Sequence, residues 1–286
     1  DVHLEEFLGV DRRESVGVNV SLVPGFRRET LEETDDYEIF RRTDGVVCKQ
    51  FKGDRSGRMP QWLRFPMRTR DDWENVIKPR LNPDSPCRYP LYWEEKKRIW
   101  AQRDYPLSIS GGSVFGWIRN WMGLEGISQA LYDDPAWVHE TMWEDLAYKA
   151  GPLISPAMFR AFMLEPYRKI TSFFHEHGID LIFVDSDGDS GPLIPLWLEG
   201  GVTGFYPIER AAGMDPVPLR QRYGRKLRLL GGIDKRAMKA GPQAIDAELA
   251  NVVPLVKEGG YIPWCDHLVP PDVPFQHYVY YVNRMK

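Results

Sequence analysis

Leu181-Ile182-Phe183-Val184 runs without a break into Asp185-Ser186-Asp187-Gly188-Asp189. Four apolar residues in a row have strand length and no alternation, the pattern of a parallel strand buried on both faces. The polar burst after them marks the chain leaving the sheet. In a barrel of parallel strands, the residues just past the strand ends gather at one mouth, where active sites are built. The stretch therefore bears on both the fold and the place to look for function.

The same grammar repeats on either side of it. Upstream, Ser155-Pro156 is a helix N-cap with proline in the first turn. Apolar residues then recur at Phe159, Phe162, Met163, Tyr167, Ile170, Phe173 and Phe174, a helical stripe closed by Gly178. Pro166 predicts a kink within it. Leu107–Ser110, Gly111-Gly112 and a helix over Val114–Met122 open the series. Downstream, Thr203–Tyr206, Leu227–Leu230 and Tyr261–Cys265 read as strands. Ile245, Leu249, Val252, Val253 and Val256 form a helical stripe ended by Gly259-Gly260, and Phe275, Tyr278, Val279 and Val282 line a terminal helix. Such alternation implies a parallel sheet with helices outside. An α/β fold of the (β/α)8 TIM-barrel type fits best. A doubly wound sheet is second, since no glycine-rich dinucleotide fingerprint comes after a strand.

Residues 1–103 read differently, being polar and rich in Arg and Asp. Val18–Val23 alternates loosely, as a strand would. Thr43-Asp44-Gly45 between Tyr37–Arg42 and Val46–Phe51 signals a hairpin, and Leu81–Pro90 is a turn-rich connector. The expected organisation is one TIM-barrel domain over 1–286. Within it, residues 1–103 form a hairpin-containing N-terminal extension and 104–286 the barrel core. About six strands are legible where a closed barrel needs eight, so the barrel is expected to be incomplete in this chain. About one helix and one strand are expected to be missing near residues 140–143, and the first strand to precede Asp1.

The chain has 286 residues, 37 Lys and Arg against 41 Asp and Glu, and a net charge of −4. With 43% hydrophobic and 27% charged residues it reads as globular. A pI of about 5.9 argues against a nucleic-acid binder, which needs a strongly basic face. Mean hydropathy is −0.43, and no apolar run approaches the ~20 residues of a membrane span. Cys48, Cys87 and Cys265 are odd in number and far apart, which argues against a disulfide framework and for a reducing, cytoplasmic setting.

The residues just past the strands carry the chemistry. Asp185, Asp187 and Asp189 repel one another unless a cation, a proton or solvent intervenes, while a plain Asp-rich turn or helix cap is the bland alternative. The spacing excludes an EF-hand loop. Trp264-Cys265-Asp266-His267 comes after another strand, and Cys, Asp and His are all metal ligands or acid/base groups. Glu209, Asp234, Lys235 and Glu144 are lesser candidates with surface or cap alternatives. His175 and His177 sit at a helix end and read as structural. Asp185, Asp187, Glu209, Cys265 and His267 are expected to converge at one mouth. His267 is the expected acid/base group, partnered by Asp185 or Asp187, with Glu144 as a further catalytic candidate. Asp187, Glu209, Cys265 and His267 are the candidate metal ligands. Trp117, Asn120, Trp143 and Tyr206 are the candidate substrate contacts, and Trp117, Trp121 or Trp143 is expected to be partly exposed.

These residues carry a resemblance to the uroporphyrinogen decarboxylase superfamily, whose members include the decarboxylase of haem biosynthesis and corrinoid-dependent methyltransferases. His267-Leu-Val-Pro-Pro-Asp-Val-Pro is similar to the decarboxylase's His-Gly-Ile-Leu-Pro-Asp-Thr-Pro. Leu229-Leu-Gly-Gly-Ile-Asp234 resembles its strand ending Gly-Asn-Leu-Asp, and Gly111-Gly-Ser-Val-Phe115 its Gly-Ala-Pro-Phe turn. Glu144 through Phe159 resembles its Asp-Ser-Trp-Ala-Gly…Leu-Ser-Pro segment. The likeness covers roughly 104–286. The departures are informative. The decarboxylase's arginine-bearing Phe-Arg-Gln-Ala-Gly-Arg motif is absent, its tyrosine after the Gly-Ala-Pro turn falls on Asn120, and its early catalytic aspartate has no counterpart. In the methyltransferases a His-x-Cys pair and a distant Cys bind zinc; here Asp185-x-Asp187 replaces the pair, and Cys265 occupies the distant position.

The resemblance implies a corrinoid-dependent methyltransferase, moving a methyl group between a small methylated substrate and a corrinoid supplied by a partner protein, with zinc held by harder ligands. Two alternatives stand beside it: a cofactor-free decarboxylase of a uroporphyrinogen-like substrate, and a barrel that binds a tetrapyrrole or corrinoid without turnover. Missing arginines count against the decarboxylase, because tetrapyrrole carboxylates need bidentate cations. A homodimer is left open.

Overall fold

The hairpin signal at Asp44-Gly45 is realised, and it grows into more than a hairpin. In a computed structural model describing residues 8–53, 59–112, 115–141, 147–148, 151–152 and 154–286, the chain divides into two units, one spanning Asp11–Glu144 and the other Asp1–Val10 with Asp145–Lys286. In the first, β1 (Glu14–Val16) precedes an antiparallel meander of β2 (Glu29–Glu33), β3 (Tyr37–Arg41), β4 (Val47–Phe51) and β5 (Gln61–Arg64), in that order. Phe40 pairs Cys48 and Arg41 pairs Val47 around the turn. Charge pairs across strands hold the Glu-rich β2: Glu29 meets Arg41, and Glu33 meets Lys52 at 2.6 Å beyond the end of β4. A small core of Phe40, Val46 and Cys48, with Phe65 against it, underlies the sheet.

β1 pairs in parallel with β6 (Leu107–Ile109). The strand expected over Val18–Val23 is thus displaced to Glu14–Val16. The physical reason is Arg88, a buried side chain whose guanidinium donates to the carbonyls of Asn19 and Ser21 at 2.8 Å, taking them out of any ladder. Helix α1 (Trp93–Ala101) precedes β6; α2 (Gly116–Asp133) and α3 (Pro135–Thr141) come after it. α2 is broken at Gly123, whose φ of 77° and contact with the Phe65 ring leave no room for a side chain.

The second unit carries short strands β7 (Ala147–Tyr148) and β8 (Gly151–Pro152), then α4 (Pro156–Phe162) and α5 (Leu164–Glu176). Ser155 caps α4, accepting from the Met158 N–H at 3.2 Å. The helix expected to kink at Pro166 instead breaks at Met163. Pro166 then falls in the first turn of α5, where its missing N–H forfeits no bond. Next come β9 (Phe183–Asp185), α6 (Ile194–Glu199), β10 (Gly204–Tyr206), α7 (Pro216–Tyr223), β11 (Arg228–Leu230), α8 (Lys235–Ala240), α9 (Pro242–Glu258), β12 (Tyr261–Ile262) and α10 (Phe275–Met285).

The four strands β9 to β12 form one parallel sheet in sequence order, each joined to the next through helix. Val184, Phe205, Leu229 and Tyr261 are buried in its core, and Trp197 of α6 stacks on Phe205 with ring centroids 5.7 Å apart. The fold is α/β, and among the described residues its strands lie in four separate sheets rather than one closed barrel. All three cysteines are free. No helix among the described residues is long and apolar enough to cross a membrane.

Candidate active site at the strand ends

Parallel pairing places Asp185 beside Tyr206 at the ends of β9 and β10, and the Ser186 N–H extends the ladder to the Tyr206 carbonyl at 2.9 Å. The loop beyond is folded on itself. Buried Ser186 and Ser190 join hydroxyls at 3.0 Å, and the Gly191 N–H donates to Asp189 Oδ1 at 3.1 Å. The aspartates do not cap a helix: α6 begins later, and its N-cap residue Leu193 contributes no side-chain bond.

Two buried carboxylates tie the loops after the strands together. Glu209, after β10, accepts the Gly188 N–H at 3.0 Å. Asp266, after β12, is fully buried. Its Oδ2 accepts the Arg210 N–H at 3.1 Å, and its Oδ1 accepts the Lys235 N–H at 3.2 Å, with Lys235 Nζ 3.7 Å away. The backbone cooperates. Gly231 and Gly232, both at positive φ, let the chain turn after β11, so that Ile233 bridges Cys265 and accepts from the Asp266 N–H at 2.8 Å. Asp234 caps α8 and clasps Arg236. Burial pushes its carboxyl up, but the hydrogen bonds from Arg236 outweigh this and hold it below the usual range.

On this brace sits an exposed pair, His267 Nε2 and Asp187 Oδ1, 3.5 Å apart, with side chains 36% and 51% accessible. Of the expected constellation, Asp187 and His267 are therefore in contact, and Glu209 joins them through the backbone. Asp185 and Tyr206 are neighbours at the ends of β9 and β10. Cys265 is buried, its thiol pushed up to about 11 mainly by burial, and its Sγ lies 3.8 Å from Asp266 Oδ1. Glu209 is turned toward an amide and Cys265 is a protonated thiol at neutral pH. Among the described residues no three His, Cys, Asp or Glu side chains group to hold a metal. The residues present do not fit a zinc site.

The remaining candidates lie on other elements. In the first unit Trp117 is half-buried and stacks on buried Trp121 with ring centroids 5.8 Å apart, and Asn120 is exposed, accepting from Arg119. Trp143 and Glu144 lie outside the described residues, as do residues 142–143 of the stretch 140–143 where chain is expected to be missing, while Glu140 and Thr141 end α3. His175 and His177 bond to backbone at their helix end, as expected, through the Gly201 and Phe173 carbonyls. A cleft of about 350 Å³ between α7 and α9 is lined by Arg210, Asp215 and Glu248, with neither Asp187 nor His267 on its wall. The motif reading includes Asp266 in the Trp264–His267 cluster but gives it no place in the expected constellation. The one signal for Asp266 is a carboxylate flanked on both sides by residues singled out for chemistry.

With this geometry in hand, the likeness to known proteins has a place to fall. The profile of the family described as Uroporphyrinogen decarboxylase (URO-D) matches residues 138–286, which contain the whole parallel sheet and its loops. The chain belongs to the uroporphyrinogen decarboxylase family. A uroporphyrinogen decarboxylase of Pseudomonas fluorescens is 31% identical over 138 residues, covering 44% of this chain and 36% of that protein. The chain thus spans about a third of the length of that curated relative. In fold, this URO-D family chain is similar to a methyltransferase from Methanosarcina mazei. The TM-score is 0.55 at 15% identity, over 98% of this chain and 81% of that one.

Proposed function

We propose that this URO-D family chain carries part of the active site of a methyltransferase that moves a methyl group from a small neutral or cationic substrate to a corrinoid on a partner protein. In this reading the sheet β9 to β12 is half of a (β/α)8 barrel. The supporting observation is the charge of the strand-end edge. Asp185 and Asp187 stand exposed, while the nearby cations are engaged: Arg210 by Asp215 and Glu248, Lys235 by Asp266. A substrate bearing many carboxylates would meet anions there and few uncommitted partners.

His267 and Asp187 handle the proton. As the methyl group departs, the electron pair of its bond stays on the substrate heteroatom, and the proton held at the imidazole neutralises it. Asp187 orients the ring through Nε2; separations like 3.5 Å tighten when substrate closes the site. Trp264 and Leu268, three residues before and one after His267 in the chain, are exposed and offer apolar surface on which a flat ring can rest. The corrinoid supplies the methyl-accepting cobalt when its carrier is bound.

The test is cobalamin absorbance during incubation of the intact protein with reduced cobalamin and methylated alcohols, ethers or amines. H267Q and D187N are expected to lose about 100-fold or more in rate, with thermal midpoints within a few degrees of wild type. Full activity in both variants overturns the assignment. The 31% identity to a decarboxylase supports the second reading. Conversion of uroporphyrinogen to less carboxylated products, with no methylation of cobalamin, would select it.

A further inference from the structure

We propose that Glu209 and Asp266 are positioning residues that close a ring through three loops and thereby set Asp187 against His267. This rests on the reading of that pair as the proton-handling site. The ring can be traced atom by atom. Asp187 is bonded to Gly188, whose N–H donates to Glu209 Oε2 at 3.0 Å. Glu209 is bonded to Arg210, whose N–H donates to Asp266 Oδ2 at 3.1 Å. Asp266 is bonded to His267, whose Nε2 returns to Asp187 Oδ1 at 3.5 Å. Lys235 joins from the remaining loop through its N–H and its ammonium group, balancing the charge of Asp266.

The division of labour comes from burial. The Asp187–His267 contact is half-exposed, and an exposed ion pair is worth too little to immobilise two side chains by itself. Glu209 and Asp266 are buried and accept from backbone N–H groups, so each fixes main chain directly beside a member of the pair. Asp266 faces two amides and Glu209 one; turning either away strands its charge and its donors. The ring thus supplies the order that the exposed pair cannot generate.

The readout is the imidazole 15N spectrum of the intact protein at one fixed pH. His267, one of six histidines, is assigned by its disappearance in H267Q. D187N is expected to displace the His267 Nε2 resonance. E209A is expected to displace it at least half as far in the same direction, and adding D187N to E209A is expected to bring it no further than D187N alone. E209Q, whose amide oxygen still accepts from Gly188, is expected to restore the wild-type position, and E33Q in the meander to leave it untouched. A folded E209A with the wild-type resonance overturns the proposal, as do additive shifts in the double variant. If E209A does not fold, D266N decides. Its amide can accept only one of the two N–H groups that Asp266 serves, so the proposal requires a displaced resonance and a wild-type one ends it. Loss of turnover in H267Q tests the proton-handling reading separately. The ring can stand while that reading falls, and the reverse.

Discussion

The antiparallel meander and the parallel sheet solve the same problem by opposite means. β2 to β5 run four or five residues each and pair over long registers, yet β2 and β5 are wholly exposed and the core beneath is small. β9 to β12 are only two or three residues long, yet Phe205 and Leu229 are almost fully buried, and the loops after β9, β10 and β12 are tied by hydroxyls or carboxylates. Ladder length is therefore a poor guide to where the free energy lies. The meander is a solvated surface held by many weak contacts. The parallel sheet is a few apolar anchors with a polar brace at one edge, and the Asp187–His267 pair stands on that brace.

The largest break in this contrast is Trp197→Ala. Trp197 is 2% exposed, packs edge-on to Phe159 and stacks on Phe205, so its removal opens a cavity behind β10. The expected loss is about 3–5 kcal/mol, read as a lower midpoint in urea. Trp62→Ala on β5, 43% exposed, is expected to cost much less. Equal losses at the two tryptophans would erase the distinction between the sheets.

A smaller effect sharpens the picture of the brace. Burial raises the Cys265 thiol from 9.0 to about 11. A group with a raised folded value contributes fully below its unfolded value and loses that contribution as pH rises through the folded one. Between pH 9 and 10 the unfolded chain ionises this thiol and the folded chain does not, so stability is expected to fall by roughly 1 kcal/mol. Cys265→Ala is expected to flatten the slope in that window whatever it does to the baseline. Buried Tyr261 and Tyr281 are also raised by burial, but their unfolded values lie at 10.0, so their losses begin later. An unchanged slope in C265A would mean that solvent reaches the sulfur.

The parts of this design legible in the sequence are those with a period or a spacing. The helices α9 and α10, the Ser155 cap and the Asp44-Gly45 turn each appear near their expected positions, although Val253, Val256 and Phe275 of the two stripes are exposed. What has no period was invisible. β2 reads Glu-Thr-Leu-Glu-Glu and is a strand through its backbone ladder to β3, with Arg41 and Lys52 placed where its acids arrive. The apolar run Leu181–Val184 begins its strand two residues late. Leu181 is 61% exposed, and the Ile182 N–H is taken by the Thr203 hydroxyl at 2.9 Å. At the candidate site, strand-end placement brings Asp187 and His267 together. The roles of Glu209 and Asp266 depend on which distant amides face them, and no local pattern encodes that.

The smallest effects are expected in the meander, and their smallness is the point. Glu33→Gln removes the Lys52 pair, and Glu29→Gln removes the Arg41 pair, both among half-exposed side chains. Exposed pairs gain little in high dielectric and cost side-chain entropy. Neither variant is expected to move the thermal midpoint beyond the error of a melt, and about 1 M salt, which shortens the screening length to about 3 Å, should remove any residual difference. The pH dependence has a definite sign. The hydrogen bond from Lys52 holds the Glu33 carboxyl below its ordinary 4.5, so whatever this pair contributes is present above that value and lost as pH falls through the lowered one. Wild type and E33Q should therefore converge in acid and differ, slightly, only near neutrality at low salt. A large gap between them that survives high salt would show that the meander is anchored through this edge, and would bring its energetics closer to those of the parallel sheet.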